Sequence, residues 1–263
     1  MDKFIIDGRT PLSGAVSISG AKNAVLPIMV ATIIAPGEYC LKNVPELRDT
    51  FTMKRLLEMV GAHVKFKNNI MHIDTSGCDT PIAPYELVKT MRASFYVLGP
   101  FMSRYNYAEV SLPGGCAWGP RPVDFHLQAL KKMGAEIELK NGMIITKGKL
   151  RGAQISFVKS SVGATGNTIM AAVTAEGTTI INNAAREPDI ESLCIFLNKM
   201  GADIKGLGSN KIIIRGQKQL HAGIEYTIIP DRIEVGTFLI AAAITRGDVL
   251  LENVNPDHLK IVL

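Results

Sequence analysis

The four cysteines of this 263-residue sequence, Cys40, Cys78, Cys116 and Cys194, form no C-x-x-C pair, and its five histidines show no H-E-x-x-H or similar spacing. Metal sites are built from ligands at such short spacings, so none is expected, and the scattered thiols suit a reduced, cytoplasmic protein. Walker-type phosphate loops and Gly-x-Ser-x-Gly elbows are also missing. Gly206-Leu207-Gly208 opens like a dinucleotide fingerprint but continues Ser209-Asn210-Lys211 without a third glycine, which predicts a hairpin. No run of five basic residues occurs, and aromatic residues do not alternate with basic ones, so a nucleic-acid groove is not expected. The longest apolar run, residues 24–35, is short and contains Pro27, and the N-terminus carries acids where a signal peptide needs bases. No membrane association is expected. Glycine and proline are scattered rather than massed, so composition marks no linker.

What is present is a chain that is 47% apolar and 20% charged, enough to bury a substantial core in more than one folding unit. Its net charge of +5 suits an anionic partner without choosing among phosphorylated small molecules, nucleic acids and acidic surfaces.

A repeat organises the chain. Three apolar helical segments end in Gly-Ala, at Gly61-Ala62, Gly134-Ala135 and Gly201-Ala202, and each is followed by an alternating strand, a turn and a second strand. The glycines fall where a helix closes with a left-handed residue, and Asn141-Gly142 is a strong hairpin signal because both positions of the tight primed turn need positive φ. Gly37-Glu38-Tyr39-Cys40-Leu41-Lys42-Asn43-Val44 and Gly177-Thr178-Thr179-Ile180-Ile181-Asn182-Asn183-Ala184 precede their closing glycines by the same interval. The same opening returns at Gly247-Asp248-Val249-Leu250-Leu251-Glu252-Asn253-Val254, and its closing glycine would fall beyond Leu263. A half-repeat leaves its apolar face without a partner, so the pattern predicts a fourth unit that is cut off and a chain that is part of a longer protein.

Residues 112–124 hold three glycines and three prolines, which no helix or central strand tolerates. This predicts a loop presenting Cys116, with Arg121 close enough in sequence to lower the thiol pKa and hold an anion. Cys40 and Cys194 lie in apolar surroundings and read as core residues, whereas Cys78 reads as a loop residue without a role. Ser19-Gly20-Ala21-Lys22-Asn23 and Lys159-Ser160-Ser161-Val162-Gly163-Ala164-Thr165-Gly166-Asn167 place small residues before apolar helices. Free backbone N–H groups there either bind phosphate or are met by ordinary caps. Arg92 stands at the start of an apolar helix, where a cation opposes the dipole unless an anion or a salt-bridge partner is near.

Taken together, Ser19-Gly20-Ala21-Lys22-Asn23, Thr90-Met91-Arg92-Ala93-Ser94, residues 112–124, Ser161-Val162-Gly163-Ala164-Thr165 and Pro230-Asp231-Arg232-Ile233-Glu234 closely resemble the UDP-N-acetylglucosamine enolpyruvyl transferases. The resemblance implies an α/β fold, the inside-out α/β barrel of two similar domains, each of three strand-and-helix units with helices inside and sheets outside. Residues 22–229 would form one complete domain, and residues 1–21 and 230–263 part of the second. It implies transfer of an enolpyruvyl group from phosphoenolpyruvate to the 3-hydroxyl of UDP-N-acetylglucosamine, the first committed step of peptidoglycan synthesis, with no cofactor, metal or obligate protein partner. By resemblance Cys116 is the acid, Lys22 and Arg121 hold phosphate and carboxylate, and Asn23 is a positioning donor. Arg92, Arg121, Pro122, Val123, Asp124, Phe125, Lys159, Ser160, Ser161, Val162 and Gly163 contact the UDP-sugar. The family's base and further arginines fall downstream of the last residue, so this chain is expected to bind UDP-sugar weakly at most and not to turn over. The alternative is an inactive fragment keeping part of the UDP-sugar site. The related enzyme acting on shikimate 3-phosphate lacks the Pro113-Gly114-Gly115-Cys116 segment.

Overall fold

The computed structural model describes residues 3, 5, 8, 10–88, 91–112, 123–260, 262 and 263. The chain opens with β1 (Ser13–Ser17) and the apolar helix α1 (Lys22–Ala31). The first unit follows as β2 (Glu38–Lys42), α2 (Arg48–Met59), β3 (His63–Lys67) and β4 (Ile70–Asp74), and leaves through β5 (Ile82–Ala83). A short helix α3 (Tyr85–Val88) and a 3-10 turn (Arg92–Val97) lead into α4 (Leu98–Tyr105). The second unit is β6 (Tyr107–Ser111), α5 (Asp124–Lys132), β7 (Glu136–Lys140) and β8 (Met143–Lys147), leaving through β9 (Gln154–Ser156). After α6 (Val162–Ala172) comes the third, β10 (Thr178–Asn182), α7 (Pro188–Lys199), β11 (Asp203–Lys205) and β12 (Lys211–Arg215), leaving through β13 (Ile224–Thr227). The chain then continues through α8 (Arg232–Thr245) and β14 (Asp248–Glu252).

The three units build identical sheets, ordered β13-β2-β4-β3, β5-β6-β8-β7 and β9-β10-β12-β11. In each, the edge strand is parallel to its neighbour and comes from the preceding unit. Because β13 of the third unit returns to pair with β2 of the first, the strand exchange closes a ring of three.

Each sheet turns one face inward, as in β2, where Tyr39 and Leu41 are buried and Glu38, Cys40 and Lys42 are not. The period of two therefore puts Cys40 on the outer face, half-buried, which corrects its expected place in the core. Cys194 is fully buried, as expected. Cys78 lies in a loop but is also buried, and its carbonyl accepts hydrogen bonds from Arg104 Nη2 (2.8 Å) and the Tyr105 hydroxyl (2.7 Å).

Inside the ring, α1 is buried from Ala24 to Ala31 and α6 from Ala164 to Ala172, the all-round burial expected of helices apolar on every face. Gly99 lets α4 approach α6 closely, since a Cβ there would lie 2.5 Å from the Asn167 carbonyl oxygen. Helices are thus inside and sheets outside. A second small cluster, Ile18, Val235 and Leu259, is separate from the main core.

The expected punctuation is in place. Gly61, Gly134 and Gly201 have φ of 104°, 95° and 97°, and Asn141-Gly142 has φ of 52° and 75°. Asn43, Asn183 and Asn253 all adopt φ near 55° and donate from Nδ2 to a carbonyl of the neighbouring parallel strand's segment: Ile228, Phe157 and Ile18 respectively. The opening of the fourth unit therefore has the geometry of the first and third, with β14 parallel to β1.

Candidate functional site

The central helices share one polarity. At their C-terminal ends Arg104 Nη1 donates to the Ile33 carbonyl (3.0 Å), and the Ser103 and Thr174 hydroxyls lie 2.6 Å apart. Lys22, the turn beginning at Arg92, and Val162 therefore share the opposite end, where the positive ends of the helix dipoles favour an anion. The helix expected after Asn167 begins earlier, so Val162 and Gly163 form its first turn, and the side chain of Ser161 caps it by accepting from Ala164 N–H (3.3 Å). Ser161 lies at the helix mouth, and Lys159 and Ser160 precede it as an exposed segment.

Around this end the structure assembles segments distant in sequence. Val123 precedes α5, and Asp124 and Phe125 form its first turn. The Phe125 ring packs against Phe157 (6.1 Å between centroids), which ties α5 to the chain leading into Lys159. His126 Nδ1 lies 2.9 Å from Asn167 Nδ2 of α6, and that amide donates to the Phe95 carbonyl in the turn opened by Arg92 (2.9 Å).

Lys22 is held from two sides. Its backbone N–H donates to Asp231 Oδ2 (3.2 Å), and its Nζ lies 3.4 Å from Asp49 Oδ2, with the side chain about 43% exposed. Asn23 beside it is exposed. Asp231 also accepts from Ile233 N–H (2.8 Å) and Glu234 N–H (3.2 Å) through Oδ1, so one carboxylate caps α8 and fixes the start of α1. The two chain crossings are stapled by Ala21 N–H to the Ile229 carbonyl (2.8 Å), Asp231 N–H to the Ser19 carbonyl (2.9 Å) and the Ser19 hydroxyl to Glu234. Gly20 is required there, since a Cβ would fall 1.8 Å from the Asn43 carbonyl oxygen.

Next to this crossing is a cleft of ≈ 750 Å³ whose lining includes Ser160, Arg186, Glu187, Arg232 and His258. Arg232 Nη2 lies 3.5 Å from the buried carboxylate of Asp189. Burial raises the Asp189 pKa above the ordinary carboxylate value, while the guanidinium opposes that rise. Asp49, Arg186 and His258 carried no sequence signal, because they meet the site only through tertiary packing. Asp231 and Arg232 stand in one of the segments that carry the family resemblance, which gave them no role.

Cys116, Arg121 and Pro122 lie outside the described residues. Among the described residues no group of three or more His, Cys, Asp or Glu side chains is placed to hold a metal ion, and no helix is long and apolar enough to cross a membrane.

Residues 6–263 match the family model described as EPSP synthase (3-phosphoshikimate 1-carboxyvinyltransferase). The UDP-N-acetylglucosamine 1-carboxyvinyltransferase of Chlorobium chlorochromatii (strain CaD3) is 52% identical over 100% of this chain and 63% of its own length. That of Chloroherpeton thalassium (strain ATCC 35110 / GB-78) is 52% identical over 100% and 62%. The chain thus spans somewhat under two thirds of the length of these curated relatives. Among solved structures, the enolpyruvyl transferase NikO from Streptomyces tendae superposes with a TM-score of 0.77 at 25% identity, covering 88% of this chain and 55% of that one. An EPSP synthase from Acinetobacter baumannii gives 0.73 at 23% identity, covering 96% and 58%, a likeness of fold.

Proposed function

This chain belongs to the EPSP synthase family, and from that premise we propose that it serves the reaction named for its curated relatives, enolpyruvyl transfer to UDP-N-acetylglucosamine. The three-carbon unit of phosphoenolpyruvate moves to the sugar 3-hydroxyl and phosphate leaves, the first committed step of peptidoglycan synthesis, in the cytoplasm. The observation that carries this reading is the 52% identity along the entire chain to enzymes of that name. Three helix N-termini converging beside Lys22 support it, because both substrates carry phosphate.

In this reading Cys116 protonates the methylene carbon of phosphoenolpyruvate, and positive charge develops on the adjacent carbon bearing the phosphate oxygen. The 3-hydroxyl oxygen bonds to that carbon and gives up its proton. Loss of a methyl proton and of phosphate then restores the double bond. Lys22 and Arg121 hold the phosphate and carboxylate, Asn23 positions the donor, and placement of these charges in advance is what lowers the barrier. Arg92, residues 121–125 and residues 159–163 receive the UDP-sugar. The division of the chain into residues 22–229, and residues 1–21 with 230–263, is part of the same proposal and is supported by the two separate hydrophobic clusters.

Phosphate release measured with phosphoenolpyruvate and either UDP-N-acetylglucosamine or shikimate 3-phosphate tests the reading. Turnover of the full-length protein is expected with the UDP-sugar alone, and turnover only with the shikimate ester would sink it. Fosfomycin is expected to add to Cys116 with promotion by UDP-sugar. A mass-spectrometric label on Cys40, Cys78 or Cys194 instead would remove Cys116 from its role.

A further inference from the structure

Behind the candidate site sits a buried polar pair, His126 and Asn167, that none of the roles above uses. The backbone fixes the Asn167 amide. Its Oδ1 faces the Gly99 N–H (2.7 Å), which can only donate, and its Nδ2 faces the Phe95 carbonyl (2.9 Å), which can only accept. The other hydrogen on that Nδ2 is directed to His126 Nδ1 (2.9 Å), which must therefore accept it, leaving a neutral imidazole with its proton on Nε2. Asn167 is 3% exposed and His126 6%, so a partner lost here is not replaced freely by solvent.

Three segments meet on this pair. His126 lies in the first turn of α5, next to Asp124 and Phe125. Phe95, in the turn that Arg92 opens, sets its ring edge-on to the imidazole, with centroids 5.1 Å apart and planes at 80°. Gly163, in the first turn of α6, covers the same ring so closely that a Cβ would come within 3.3 Å of Cε1 and Nε2. We propose that His126 and Asn167 are positioning residues for the UDP-sugar, setting the register of the Arg92 turn, residues 123–125 and residues 161–163 against one another. The assignment of those segments to a UDP-sugar rests on the enolpyruvyl-transfer reading.

The test is an NMR titration of the full-length protein with UDP-N-acetylglucosamine, in wild type, His126→Phe and His126→Asn. Phenylalanine keeps the ring and its edge contact but loses the acceptor, whereas an asparagine oxygen can stand where Nδ1 stood. The expected result is affinity about tenfold weaker in H126F and within about threefold of wild type in H126N, the loss matching one buried hydrogen bond. Equal binding by H126F, or equal weakening of both variants, would overturn the positioning role and leave the enolpyruvyl-transfer reading intact. Absence of any response in wild type would remove the UDP-sugar reading and this proposal with it. If H126F does not fold, the wild-type imidazole decides. Nitrogen shifts of the Nε2–H tautomer are expected, and an Nδ1–H tautomer or an imidazolium at neutral pH would refute the pair.

Discussion

At the scale of single residues, burial sorts the thiols. Cys78 and Cys194 are shut inside the main core, and loss of hydration pushes their pKa up, to about 11 and about 12 respectively. Since the thiolate is the nucleophile, both are expected to remain unmodified by an alkylating reagent at pH 8 under conditions that label Cys116, and to react only after unfolding. Peptide mapping of the alkylated native protein checks this, and comparable labelling of Cys194 would contradict the burial. Cys78 also shows why a cysteine in a loop need not be idle. Its carbonyl is shared by Arg104 and Tyr105, and Arg104 reaches on to the carbonyls of Ile33 and Thr75.

At the scale of elements, the repeated helix-closing glycines are alike in conformation and unlike in surroundings. Gly61 and Gly134 share φ near 100°, a region that a Cβ resists. A Cβ on Gly134 would meet no neighbour, whereas on Gly61 it would lie 2.4 Å from the Gly77 carbonyl oxygen. Gly134→Ala is therefore expected to cost about 1–2 kcal/mol, from conformation alone. Gly61→Ala should cost a further ~1–3 kcal/mol from the overlap. Urea denaturation of the two variants gives the comparison, and equal losses would show that the backbone near Gly77 yields. The second unit departs from the others in its link from opening strand to helix. Residues 43–47 and 183–187 make that connection in the first and third units, and residues 112–123 in the second, the stretch that carries Cys116.

At the scale of the whole molecule, exchange of β5, β9 and β13 closes the three units into one ring, and the apolar helices α1, α4 and α6 fill it. Helix α8 is similarly apolar but stands outside. Only Val235 is buried, while Ile240 and Ile244 are 60% and 78% exposed. Replacing Ile240 or Ile244 by serine is expected to change the stability of this chain by less than about 0.5 kcal/mol. Ile169→Ala in α6 should cost about 2–5 kcal/mol, because it opens a cavity in packed surroundings. Denaturant titration separates the two cases, and a large loss for I240S would mean that α8 is covered in solution.

The repeat, its left-handed closing glycines, the Asn141-Gly142 turn, its hairpins and the apolar character of α1 and α6 were all legible in the sequence, whereas the left-handed Asn43, Asn183 and Asn253 were not. Each legible feature depends on backbone preference or on a periodicity of neighbouring side chains, and these act locally. Ser19-Gly20 and Ser161-Val162-Gly163 could be recognised as helix entrances for the same reason. Tertiary structure alone decided that β13 returns to β2, that Cys40 faces outward, and that Asp231 fixes Lys22 while His126 meets Asn167. Those outcomes are contacts between residues far apart in the chain, chosen by which surfaces can be buried together with their polar groups paired, and no local pattern encodes them.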